Sequence, residues 1–457
     1  MITIRENSLS KTCDHIASFD ERSFEMKKYL AFLLAVIMAL ACIASGCGQS
    51  KEVEADASTG AVSISLLNIK SEVDSQLQAL AQQYQKETGI TVNVISTQSG
   101  VDAQATLKGS YLADQMPDII ACESSGFANW EGLLVDMSDQ DWAKRTDAAY
   151  IDSTYGTLGF PYTTEAIGLA YNADILGKAG IDPATITGPE SMRKAFETLD
   201  AKKSELGLTA VIGYCAEPEN LGWSAGNHIM GAYIDSGLAR SDTTYIDLLS
   251  NGGGIDDSRF THFAEMIGLF NEFSDPALLV NGTYNDQVLG FASGKYAFIT
   301  QGSWIGATLT GDDLSEYSAA GNFLVGMIPY AFEEGMDTIL TSAPSWWAVS
   351  KEGNVEAALA FLQWCSEDNG QKILVEQAGF ASPFVDCKYV ASDPFASVIS
   401  SYISSGKTSS WHWMEMAEGL GQNGFSYAFQ NFAKGDTDVT GFLKEIKKIA
   451  SEWYSKL

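Results

Sequence analysis

Basic residues are scarce in this chain. It carries 28 Lys and Arg against 58 Asp and Glu in 457 residues, a formal net charge of −30. Phosphate backbones and anionic lipid surfaces would be repelled, which excludes general nucleic-acid or anionic-membrane binding. Cysteine is also sparse: past residue 50 only Cys122, Cys215, Cys365 and Cys387 remain. None has the spacing of a metal or redox site, so no metal and no cofactor is expected. These four read as buried free thiols, with Cys365–Cys387 the best candidate for a disulfide. Histidine is rarer still, with only His228, His262 and His412 in the body. Internal repeats, heptad runs and low-complexity blocks are absent too. The remainder is 46% hydrophobic and 11% aromatic, which excludes whole-chain disorder and, at this length, a lone small domain.

A spanning hydrophobic run is likewise missing. The apolar stretch Tyr29–Ala44 holds 16 residues, short of the roughly 20 that cross a bilayer as a helix. Behind Lys27 and Lys28 it fits the hydrophobic region of a signal peptide. Ala44-Ser45-Gly46-Cys47 looks like a bacterial lipobox, in which the thiol of Cys47 is lipidated and becomes the mature N-terminus. Residues 1–46 are thus an upstream extension plus signal, with Met26 the apparent start. Removing them takes away five basic and five acidic residues, so the mature charge stays at −30. Residues 47–60 are small, polar and acidic and read as a flexible tether.

The body opens strand, helix, strand, helix, strand. Val62–Asn68 alternates, Val73, Leu77, Leu80 and Tyr84 recur at helical spacing, and Gly89 stops that helix. Ile90–Ile95 is a second strand, a polar helix covers 102–111, and Asp118–Ala121 is a short buried strand. This order argues an α/β layer with parallel strands. A second unit starts near Phe160. Its expected strands are Ile167–Tyr171, Leu208–Tyr214, Tyr296–Thr300, Phe323–Ile328 and Trp346–Ser350. Expected helices run from Pro189 to Leu206 and along the face Phe260, Phe263, Ile267 and Phe270. Ser303 is expected to cap another helix, and the chain is mostly helical from Val355 onward.

Two motifs fail on context, so no catalytic residue is assigned. Gly222-Trp223-Ser224-Ala225-Gly226 spells a hydrolase nucleophile elbow, which requires a strand running directly into the Ser. Residues 215–221, with Pro218 and Asn220, intervene, and only His412 comes late enough to serve. Asp436–Gly441 resembles a calcium-loop opening, but the bidentate Glu due at position 12 is Lys447. A helix cap is the simpler reading.

Several stretches together resemble one family. These are Met116-Pro117-Asp118-Ile119; Phe160-Pro161-Tyr162 with Glu165 and Leu169-Ala170-Tyr171-Asn172; Phe291-Ala292-Ser293-Gly294-Lys295 leading to Gln301-Gly302-Ser303-Trp304; Pro344-Ser345-Trp346-Trp347; and Gly379-Phe380-Ala381-Ser382-Pro383. In this order the chain resembles, from about residue 61 onward, the extracellular solute-binding proteins of bacterial ABC importers, in the carbohydrate-binding branch that includes maltose-binding proteins. The resemblance implies an α/β fold of the two-lobed, periplasmic-binding-protein type, with three crossings and a ligand cleft between the lobes. The crossings are expected near Thr163–Ala166, Val325–Ile328 and Ser366–Asn369. One lobe would then comprise 61–164 plus 328–366, the other 165–327 plus 367–457. The implied partners are a carbohydrate ligand, the permease subunits and, through lipid on Cys47, the outer face of the membrane. A monomer is the family default, and hinge closure is the implied mechanism.

A sugar offers hydroxyls around rings with apolar faces, so its site should pair flat aromatics with planar polar groups. The chain has ten Trp. Trp304, after Gly302-Ser303, stands where the family often places a stacking aromatic, and Glu165 lies at the first implied crossing. Trp223 sits in a Gly-rich stretch. Trp346 and Trp347 would point to opposite faces of a strand, one to core and one to cleft. Trp411 and Trp413 flank His412 and could rim the cleft. Glu123, just beyond a strand end, sits where open α/β sheets bind ligands. Asn285 and Asp286, ahead of the helix expected at 287–292, complete the set. Alternatives are a non-sugar solute such as a polyol phosphate or peptide in the same fold, or a secreted hydrolase using Ser224 or an acid pair.

Overall fold

The computed structural model describes residues 62–98, 101–146, 148–384 and 386–457. The expected signal, tether and lipidated Cys47 lie outside these. Apolar residues build β1 (Ser63–Asn68) and β-branched ones β2 (Thr91–Ser96), joined by the helix Asp74–Thr88. That helix buries Leu77, Leu80 and Tyr84 and ends on Gly89, whose φ of 79° closes the last turn. The helix Ala103–Leu112 and β3 (Ile119–Cys122) follow. β1 runs parallel to both neighbours, as the opening order predicts.

The first sheet is completed by β4 (Tyr150–Asp152), β5 (Gly156–Pro161) and β12 (Trp346–Val349), in the order β2-β1-β3-β12-β5-β4. A three-stranded sheet joins β6 (Glu165–Ile167), β11 (Ile339–Ser342) and β13 (Thr408–Ser409). A third sheet has the order β10-β7-β9-β8, with β7 (Leu169–Asn172), β8 (Ala210–Gly213), β9 (Tyr296–Ile299) and β10 (Val325–Ile328). The strand expected over 167–171 is therefore two strands, divided at Gly168 between two sheets.

Two of the expected crossings move. β10 pairs with β7 inside the third sheet, and Tyr330 and Phe332 pack on Phe270 and Phe263 of the helix Asp257–Phe273. The chain next changes sheet between β11 and β12, at residues 343–345. Residues 368–377 stay with the first sheet: Ile373, Leu374, Phe380 and Phe384 share a core with Leu77, Tyr84 and Trp347. Phe395 and Ile399 pack with Ala170 and Ile299 of the third sheet. The third passage thus lies between 381 and 395, beside the bridge of Thr164 to Ala381.

The Gly-rich 222–226 stretch is helical. Pro218–Trp223, Ser224–Ile229 and Met230–Asp235 follow one another, the middle segment wound as a π-helix. Ser303 also departs from expectation: its hydroxyl accepts from the Ala166 N–H at 3.0 Å, and Trp304 occupies the cap of Ile305–Thr310. Asp438 caps the final helix through the Gly441 N–H, the simpler reading of that motif. All four body cysteines are free, Cys387 half-buried and the others buried.

Candidate functional site

A cavity of about 450 Å³ opens at the carboxyl ends of β1, β2 and β3, where open α/β sheets bind ligands. Its volume lies in the usual range for small-molecule sites. One wall is aromatic. Trp223, His228, Tyr284, Trp304, Trp411 and Trp413 all line it. The His228 imidazole centroid is 4.8 Å from Trp304, 4.9 Å from Trp413, 5.2 Å from Trp223 and 5.9 Å from Trp411. Burial holds that imidazole down at about 3, so it is neutral at physiological pH, and its Nδ1 has no partner.

Local sequence fixes these rings. A Cβ at Gly302 would lie 2.1 Å from Cζ3 of Trp304, so glycine makes room for the indole. Trp304 Nε1 donates to Gln301 Oε1 at 3.1 Å. Gln301 Nε2 donates to Gln287 Oε1 at 2.8 Å and to the Ser224 hydroxyl at 3.1 Å, and Gln287 donates on to the Gly213 carbonyl at 2.7 Å. This buried amide relay locks the platform to the third sheet. Trp223 Nε1 donates to the Asn220 carbonyl at 3.1 Å.

The opposite wall is polar. Lys70 follows β1 and is clamped by Asn68, which donates to its carbonyl at 2.8 Å and accepts from its N–H at 3.0 Å. The ammonium meets Glu165 at 2.5 Å and Glu72 at 2.9 Å. Burial alone would lower Lys70, but Glu165 and Glu72 outweigh it and hold the ammonium well above its ordinary range. The pair joins the loop after β1 to β6. Glu123 follows β3 and has exposed surface on the cavity. The protein around it pushes its carboxyl up to about 7, against Lys70, and cavity water limits that rise. At the rim, Glu418 accepts from Lys108 and from Asn129, each at 3.2 Å.

Residues 79–397 match the profile of the bacterial extracellular solute-binding proteins. The chain belongs to that family. The solute-binding protein RafE in complex with raffinose is similar in structure, with a TM-score of 0.67 at 18% identity, covering 86% of this chain and 99% of that one. The GacH receptor of Streptomyces glaucescens GLA.O, described without ligand and with acarbose, gives 0.67 at 18% identity, covering 87% and 98%. At such identities the likeness establishes the two-lobed fold. In sequence, the periplasmic sn-glycerol-3-phosphate-binding protein UgpB of Agrobacterium fabrum (strain C58 / ATCC 33970) is 24% identical over 238 residues. That match covers 51% of this chain and half the length of the relative. No helix among the described residues is long and apolar enough to cross a membrane.

In this solute-binding protein, six residues singled out in the sequence share the cavity: Trp304, Trp223, Trp411, Trp413, Glu123 and Glu165. Four stand elsewhere. Trp347 is fully buried, stacked on Tyr162 at 4.6 Å. Trp346 packs on Tyr150 and donates to the Ala148 carbonyl at 2.7 Å. They do point to opposite faces of β12, but that strand lies inside its sheet, and both faces are covered. Asp286 accepts from the Thr283 N–H at 3.0 Å and hydroxyl at 2.7 Å as part of a capping box. Asn285 is exposed on the same helix, outside the cavity. Sequence reasoning missed Lys70, His228 and Tyr284. The strand-end rule that found Glu123 applies equally to Lys70 after β1. Ser224 has Gln301, not a histidine, as the donor to its hydroxyl, and it lies in a helix, so the elbow geometry is absent.

Proposed function

We propose that the protein captures a carbohydrate, an oligosaccharide, in this cleft by hinge closure and delivers it to the permease of an ABC importer, anchored by lipid on Cys47 and without catalysis. One observation carries the reading: the half-exposed Trp223 and Trp304, backed by the buried Trp411 and Trp413 and a neutral imidazole, face a wall of carboxylates and amides across one cavity. Ring C–H faces stack on the indoles, and hydroxyls bond the polar wall. The raffinose and acarbose complexes of the structural relatives agree with this choice.

The glycerol-phosphate relative favours a second reading, a polyol phosphate. The cavity opposes it. Its two lysines, Lys70 and Lys108, are already paired with Glu165, Glu72 and Glu418, and a phosphate would face the remaining carboxylates.

The test is thermal unfolding and Trp fluorescence of the mature protein with raffinose, stachyose, chitin oligosaccharides, maltotriose and acarbose, against glycerol 3-phosphate and peptides. A ligand of the folded state stabilises it by about 2.7 kcal/mol at 100 times its dissociation constant. A response to one sugar class supports the proposal. A response to glycerol 3-phosphate alone replaces it, and cleavage of a sugar would make the protein an enzyme.

A further inference from the structure

Behind the aromatic wall, one helix face holds the segment that carries Trp411 and Trp413. In Met230–Asp235, Gly231 and Asp235 are four residues apart and share a side. A Cβ at Gly231 would lie 2.6 Å from Cδ1 of Trp413, so a larger residue there would displace the indole. One turn on, Asp235 accepts from the His412 backbone N–H at 2.9 Å and meets Nδ1 of the same residue at 2.6 Å. Arg240 donates to the Ser409 carbonyl at 3.0 Å, and the Ser409 hydroxyl donates to the Leu238 carbonyl at 2.7 Å. The segment is thus pinned at 409, 412 and 413. The indole N–H groups of Trp411 and Trp413 have no partner of their own, so these rings depend on that anchoring. Asp235 and His412 do not line the cavity.

We infer that Asp235 and His412 are positioning residues for the ligand: their buried pair sets Trp411 and Trp413 in the cavity wall, and the charge on one imidazole governs how tightly the cleft holds its solute. The inference rests on the cleft reading above. A buried carboxylate stripped of its charged partner is costly, so the segment is held best when His412 is protonated. The bond to Asp235 raises His412 above the ordinary imidazole value, against its burial. Glu415 on the same turn and Arg240 also act on it; Asp242 and, through Glu415, Asp247 from the helix Thr244–Ser250 complete the charged surroundings. The anchoring is therefore complete below the ordinary imidazole value and fades as pH rises through the raised one.

The experiment titrates the mature protein with raffinose and chitotriose between pH 5.5 and 9. In parallel, NMR follows the His412 imidazole and the Trp411 and Trp413 indole N–H signals. Affinity is expected to weaken at least tenfold at high pH, with the midpoint of the His412 titration. His412→Gln should abolish the step. Affinity that stays flat through that titration overturns the inference, as does a step that survives His412→Gln. If neither sugar binds at any pH, the cleft reading fails instead. The ligand-free spectra then still decide: indole signals that do not move with His412 sink the positioning role.

Discussion

The two walls of the cleft are built by opposite rules. The polar wall comes from loops at the carboxyl ends of β1, β2 and β3, and its charges are largely satisfied by one another, as in Lys70 with Glu165 and Glu72. The aromatic wall comes from helical segments and one strap on the other sheet. There, Trp411 Nε1, Trp413 Nε1 and His228 Nδ1 are left without partners. A self-satisfied wall sets shape and stability, whereas the aromatic wall offers a solute ring surface, its unpartnered nitrogens lying buried out of reach. Substitutions should therefore separate the two: polar-wall changes act mainly on folding and indole truncations mainly on binding, with His228 the exception because its buried imidazole also ties that wall to stability.

The largest effect should come from Lys70→Met. It strands Glu165 in a buried site, and breaking such a pair costs about 3–5 kcal/mol. Denaturant unfolding measures it, and a loss under 1 kcal/mol would mean that the pair contributes little to folding. Next is Trp304→Ala, expected to weaken sugar binding by about 2 kcal/mol, roughly thirtyfold, as for a buried aromatic anchor. Unchanged affinity by calorimetry would remove Trp304 from the platform. Third is acid sensitivity at His228. Its folded value, about 3, lies below the ordinary imidazole value of about 6.5. Stability is thus present above about 6.5 and lost as pH falls toward 3. His228→Leu should flatten the thermal midpoint between pH 7 and 5 relative to wild type; parallel curves would show that another group sets the slope. The smallest effect belongs to the rim. Lys108 and Glu418 are nearly half exposed, and Glu418→Gln should change stability by less than about 1 kcal/mol, less still in high salt.

Much of the fold was legible because its signals are local. Leu77, Leu80 and Tyr84 at helical spacing, with Gly89 behind them, mark the first helix closely, and the observed bounds are Asp74–Thr88. The crossings were not legible, because they depend on pairings far apart in the chain. Nothing local in 339–342 says that β11 lies antiparallel to β6, some 170 positions earlier. The site divides in the same way. Glu123 was reachable through the strand-end rule, and Trp304 through the family resemblance of the segment that carries it. Trp346 and Trp347 were misplaced because alternation assigns faces but not what covers them. His228 was missed because its role comes from four rings brought together from three distant segments.

The engagement of both cavity lysines also has a kinetic consequence. A cleft whose cations are already neutralised presents little attraction at long range, and the chain around it carries a charge of −30. A neutral solute would enter at a rate set by diffusion and orientation, indifferent to ionic strength. An anionic one would be slowed in dilute buffer and would speed up as salt screened the repulsion.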